Sequence, residues 1–81
     1  MNSRVQLEGV AATNAVRQCE LAELLVSLDG TANSVRVVAR GPAADNLSTF
    51  RKGHPIRIDG QLAFDAKGLF VIALTVSAGR R

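Results

Sequence analysis

Apolar and polar positions alternate through the first half of the chain. Val5, Leu7 and Gly9 fall on one side of an extended segment and Arg4, Gln6 and Glu8 on the other, the period of two that a half-buried strand requires. After the turn-forming pair Thr13-Asn14, Ala22, Leu24, Val26 and Leu28 alternate with Leu21, Glu23, Leu25 and Ser27. This second strand ends at Asp29-Gly30, a dipeptide suited to a hairpin turn. A third strand from Ser34 to Arg40 points Val35, Val37 and Ala39 inward and Arg36, Val38 and Arg40 outward.

At Gly41-Pro42 the period changes. Proline suits a first helical position, and Ala43, Leu47 and Phe50 follow at spacings of four and three, one apolar stripe of a short amphipathic helix. Arg51-Lys52 complement the dipole of its last turn, and Gly53 supplies a left-handed cap. Alternation then returns, with Ile56, Ile58, Gly60, Leu62 and Phe64 facing inward and Arg57, Asp59, Gln61 and Ala63 outward. Gly60 inside this strand marks a bulge or a corner. A turn at Asp65-Ala66-Lys67-Gly68 leads into residues 69–76, apolar on both faces. The expected order is β-β-β-α-β-β: an all-β domain over residues 1–81 with one short helix between the third and fourth of five strands. That is the element order of the five-stranded OB-fold, a Greek-key barrel; an SH3-like barrel is disfavoured by a helix at that point.

Composition narrows the function classes. With 81 residues, 47% of them hydrophobic and 21% charged, there is room for one globular domain and none for a second, catalytic one. No apolar run approaches the ~20 residues of a membrane span, and the N-terminus lacks the apolar stretch of a secretory signal, so a cytoplasmic protein without a membrane role is expected. A single Cys19 and a single His54 supply neither a disulfide, a zinc set nor a Cys-His pair. Cys19 reads as a small buried or half-buried apolar residue, and His54, between Gly53 and Pro55, as a loop residue. No metal, cofactor or enzyme activity is expected, since no residues assemble a nucleophile, a base and an orienting group. Ten Lys and Arg against seven Asp and Glu leave a net charge of +3, which suits a polyanionic partner.

Val37-Val38-Ala39-Arg40-Gly41, Ala44-Asp45-Asn46, Phe50-Arg51-Lys52-Gly53 and Ile56-Arg57-Ile58-Asp59-Gly60-Gln61-Leu62 together resemble the bacterial single-stranded-DNA-binding proteins. In that family a strand ending in Gly is followed by a helix ending in Lys-Gly, then by a strand reading apolar-x-apolar-acidic-Gly-x-Leu. The detailed match covers about half the chain, and the primosomal replication protein that shares the fold is a neighbouring possibility. The resemblance implies a nonenzymatic binder of single-stranded DNA, with RNA left open, acting in replication, recombination or repair and assembling as a homodimer or tetramer. Residues 69–76 and the outward Leu21 and Leu25 add apolar surface that an oligomer would cover.

The sequence departs from the family in having no Trp or Tyr and only Phe50, Phe64 and Phe70. Its hairpin loops are short, and it stops at Arg80-Arg81 without a Pro/Gly-rich linker and acidic tip, the pattern of a truncated, tailless or designed member. With few bases stacked on aromatic rings, phosphate contact by arginine becomes the expected grip. Arg36, Arg40 and Arg57 are the leading contacts by strand parity, followed by Arg4 and Arg17. Phe50 and Phe64 read as core, leaving Phe70 as the leading stacking candidate. The alternative is an assembly module that kept the barrel and lost nucleic-acid binding.

Overall fold

The computed structural model describes residues 3–28 and 33–79. The Asp29-Gly30 turn and Arg80-Arg81 lie outside the described residues. The elements are β1 (Arg4–Ala11), β2 (Val16–Gln18), β3 (Leu21–Leu28), β4 (Ser34–Arg40), α1 (Gly41–Leu47), β5 (Pro55–Asp65) and β6 (Gly68–Ala78). The protein is therefore mostly β with one short helix, which follows the strand Ser34–Arg40 as the change of period predicts.

All six strands join one sheet in the order β1-β5-β6-β4-β3-β2, and β1 also pairs with β3, so the pairings lead from β3 back to β1. Six strands stand where five were expected because Val16–Gln18, beyond the Thr13-Asn14 turn, forms an additional three-residue strand. β2 pairs with Leu21, Ala22 and Glu23 of β3, while Gly9, Val10 and Ala11 of β1 pair with Leu28, Ser27 and Val26. Between them the side chains of Thr13 and Asn14 take backbone donors: Leu25 N–H donates to Thr13 Oγ1 at 3.2 Å and Lys52 N–H to Asn14 Oδ1 at 2.8 Å. Side-chain oxygens of this kind compete with ladder bonds and interrupt a strand.

Leu47, Ile56, Ile58, Val26, Val37 and Val71 are the largest fully buried side chains. The alternation places them as expected: Ala22, Leu24 and Val26 from β3 and Val37 and Ala39 from β4 all point inward. α1 seals the core with Ala44 and Leu47, while Ala43 and Phe50 pack half-buried against it. The helix is shorter than its apolar stripe. Ser48 Oγ donates to the Ala44 carbonyl at 2.6 Å and Thr49 Oγ1 to the Asn46 carbonyl at 2.8 Å, which ends the helical ladder before Phe50. Arg51 and Lys52 consequently lie beyond the last turn and do not face its dipole. Gly53 does take a positive φ of 95°, but as part of that later turn, where its N–H donates to the Ala11 carbonyl.

The irregularity expected at Gly60 is present, with the extra residue on the opposite strand. Asp59 pairs with Thr75 and Gly60 with Ala73, leaving Leu74 as the bulged residue of β6. Val71 and Ala73 are thus buried at a spacing of two and Val76 at a spacing of three. Beyond the bulge the β5–β6 hairpin runs past the core. Phe64 keeps the parity of Ile56 and Ile58 but is 77% exposed, correcting its expected place in the core; Leu62 and Leu69 are exposed beside it. Cys19 is exposed in the β2–β3 turn, not buried. No helix among the described residues is long and apolar enough to cross a membrane.

Candidate nucleic-acid interface

One row of outward positions crosses every strand. Arg4 on β1 lies opposite Gln61 on β5, which lies opposite Ile72 on β6. Ile72 neighbours Val38 on β4, Val38 faces Glu23 on β3, and Glu23 faces Val16 on β2. Along the middle of this row runs a groove of about 570 Å³. Its walls are Leu21 and Glu23 from β3, Arg36, Val38 and Arg40 from β4, Asp65 from β5, and Phe70 and Ile72 from β6. Two smaller depressions continue it past Gln18 and Val16 to Thr13, and Glu23 borders all three. From β6 to β2 the track crosses three strand spacings, roughly 14 Å.

Arg36 is held inside this groove. Its Nη2 donates to Asp65 Oδ2 at 2.6 Å, its Nη1 lies 3.6 Å from Glu23 Oε1, and its guanidinium carbon sits 4.5 Å from the centre of the Phe70 ring. The Asp65 hydrogen bond, and behind it the charges of Asp65 and Glu23, raise the guanidinium's pKa above its ordinary value. Asp65 is fixed in turn: its second oxygen accepts the Lys67 N–H at 2.8 Å, an arrangement set by the tight β5–β6 turn. The Arg36 hydrogen bond, assisted by the Lys67 amide, holds the Asp65 carboxyl below the usual carboxylate range. Phe70 is therefore covered on one ring face by a cation that two carboxylates hold in place.

The sign of that shift gives a pH test. A carboxyl whose folded value is depressed contributes stability above its unfolded value, about pH 3.9, and loses the contribution as pH falls through the lower folded value. Urea denaturation of the wild type and Asp65→Asn is expected to show a stability gap that is constant above pH 5 and closes toward pH 3. A gap unchanged down to pH 3 would contradict the pairing.

The other candidates separate. Arg40 lies in the groove, exposed, and its side chain makes no hydrogen bond or ion pair among the described residues. Arg4 stands at the β1 end of the row. Arg57 is outward and exposed, but near the far end of β5, between Glu8 of β1 and Ser77 of β6. Arg17 faces the other way, because β2 turns Val16 and Gln18 to the groove. Arg17 Nη1 donates to Asp45 Oδ1 at 2.8 Å and to Ser48 Oγ at 3.3 Å, and its Nε donates to the Cys19 carbonyl, tying β2 to α1. The structure thus brings Arg4, Arg36, Arg40 and Phe70 onto one face and leaves Arg17 and Arg57 apart. His54 serves the turn, where its Nδ1 accepts the Arg51 N–H at 3.2 Å.

Sequence reasoning passed over Glu23 and Asp65. Glu23 carried a signal, being the one charged position among the outward Leu21 and Leu25. Asp65 carried none, for its partner Arg36 is 29 residues away.

No protein-family model matches the chain, and neither does any curated protein sequence. Solved structures do match. The single-stranded-DNA-binding protein of Thermus aquaticus superposes with a TM-score of 0.86 at 22% identity over 98% of this chain, which spans only 41% of that protein. The small single-stranded-DNA-binding protein of Streptomyces coelicolor gives 0.83 at 21% identity, covering 96% of this chain and 94% of its own. The second such protein of Mycobacterium smegmatis gives 0.83 at 25% identity, covering 96% and 89%. The strand order, the placement of the helix and these superpositions agree: the chain has the OB fold of the bacterial single-stranded-DNA-binding proteins.

Proposed function

We propose that this protein binds single-stranded DNA along the groove on the outer face of β3 and β4. The observation that carries the reading is the position of the groove, since OB-fold barrels commonly hold oligonucleotides on this face. The floor of Val38, Ile72 and Leu21 suits the faces of bases, and Arg40 and Arg4 supply cations for the backbone at and beyond its rim. Phe70 lines the same groove with one ring face against Arg36, and a base stacked on an aromatic ring is worth ~1–3 kcal/mol. The proteins of like fold are named for binding single-stranded DNA, and the chemistry of this face is compatible with that partner. A role in replication, recombination or repair follows from such binding.

A second reading has its own observation. Leu62, Phe64 and Leu69 lie together on one face of the hairpin, 42%, 77% and 53% exposed, with Phe64 directly opposite Leu69. A cluster of this kind suits association of copies, in a homo-oligomer that either binds DNA or has become an assembly module.

Anisotropy titrations with labelled oligo-dT are expected to show binding at low salt, with log K falling linearly in log salt by about 0.7 for each phosphate neutralised. Absence of binding to oligo-dT and oligo-dC alike at low salt, together with a defined oligomer by light scattering, would reject the nucleic-acid reading in favour of the assembly one.

A further inference from the structure

The carboxylate of Glu23 stands in the cross-strand row between Val38 and Val16, one strand in from its β2 end, and borders every depression of the track. Its link to Arg36 is long, at 3.6 Å, because Asp65 takes that guanidinium at 2.6 Å. The Glu23 side chain is 46% exposed, so its oxygens keep acceptor capacity toward the groove. An ionised carboxylate only accepts hydrogen bonds and repels phosphate, and a ligand group seated against it must offer N–H.

Resting on the reading that this groove holds a single strand, we infer that Glu23 selects bases that carry an exocyclic amino group. Cytosine presents N4–H₂ and adenine N6–H₂, while guanine presents N1–H beside N2–H₂, which matches the two oxygens of one carboxylate. Thymine and uracil offer only N3–H, flanked by two carbonyl oxygens that a carboxylate repels. The apolar neighbours Leu21, Val38 and Ile72 accept the flat faces of any base; of the charged groups on the groove, Arg36 and Asp65 hold each other at 2.6 Å and Arg40 serves the phosphates, so discrimination between bases falls to Glu23. Acceptance of the cytosine N4 amine by Glu or Asp is an established mode of base reading.

The test compares labelled oligo-dC and oligo-dT of equal length at pH 8 and low salt. Wild-type protein is expected to bind oligo-dC about fivefold more tightly or better. Glu23→Gln, whose amide donates as well as accepts, is expected to tighten oligo-dT and bring the ratio close to one. Asp59→Asn, which removes an outward carboxylate of β5 away from the groove, leaves the ratio unchanged. Binding of both oligonucleotides without preference, or a preference that survives Glu23→Gln, overturns this inference and leaves the groove as the binding face. Failure of both to bind removes the nucleic-acid reading itself.

Discussion

Gly9→Val is expected to yield a chain without a cooperative unfolding transition. At Gly9 β1 is paired on both sides, with Ile56 of β5 and Leu28 of β3. A Cβ built there meets the Ser27 carbonyl oxygen, with the Ser27 carbon at 3.0 Å and the Leu28 Cα at 3.2 Å. Every one of these atoms is backbone, so no side chain can swing aside. Relief requires β1 and β3 to part where their additional pairing leads from β3 back to β1. The cost exceeds about 4 kcal/mol, the range reserved for overpacking and broken pairing. A domain of 81 residues has a total stability of roughly 4–12 kcal/mol, so most or all of it is lost. Gly68→Ala is the contrast. Its φ of 111° penalises a side chain, yet nothing lies within 4 Å of the added Cβ, and a loss of about 1–3 kcal/mol with folding retained is expected. Thermal melts followed by circular dichroism separate the two; a folded Gly9→Val within 1 kcal/mol of wild type would show that β1 and β3 are less tightly joined there.

Alternation was a good guide wherever a strand had core beneath it. For β3 and β4 the inward Ala22, Leu24, Val26, Val37 and Ala39 are buried as their parity demands, with Leu28 and Val35 half-buried toward the strand ends, because a slip of one residue would carry every apolar side chain to solvent. Phe64 marks the limit of that argument: parity states which face a residue shares, not whether the core extends far enough to cover it. The helix shows another limit. Its apolar stripe reaches Phe50, but two hydroxyl side chains capture carbonyls near its end, and such local bonds have no periodic signature. For the site, strand parity put Arg36 and Arg40 on one outer face, as observed. It had no means of distinguishing them, because the Asp65 that engages Arg36 arrives from another hairpin. Nor did it place Arg17, whose three-residue strand is too short to show alternation and turns that side chain toward α1.

Arg40→Glu is expected to weaken single-strand binding by on the order of tenfold to a hundredfold, and Arg57→Glu by much less, although both change the net charge equally. Arg36 has Asp65 and Glu23 as partners and Arg17 has Asp45, so neither is a ready contact for phosphate. Arg40 lies in the groove and its side chain has no partner among the described residues. It is also the residue before α1, with extended dihedrals and no side-chain capping bond, so a glutamate there removes no cap and sits favourably at a helix start. Arg57 adjoins Ser77, five residues along β6 from Ile72, a distance of roughly 16 Å. That exceeds the Debye length of about 10 Å at 0.1 M salt, so a charge at Arg57 acts only weakly on a strand in the groove. The neutral variant Arg40→Gln adds a second reading of the same contact, a salt slope shallower by about 0.7 for the lost phosphate. Equal losses in Arg40→Glu and Arg57→Glu would mean that affinity follows overall charge and that the groove on β3 and β4 does not seat the strand.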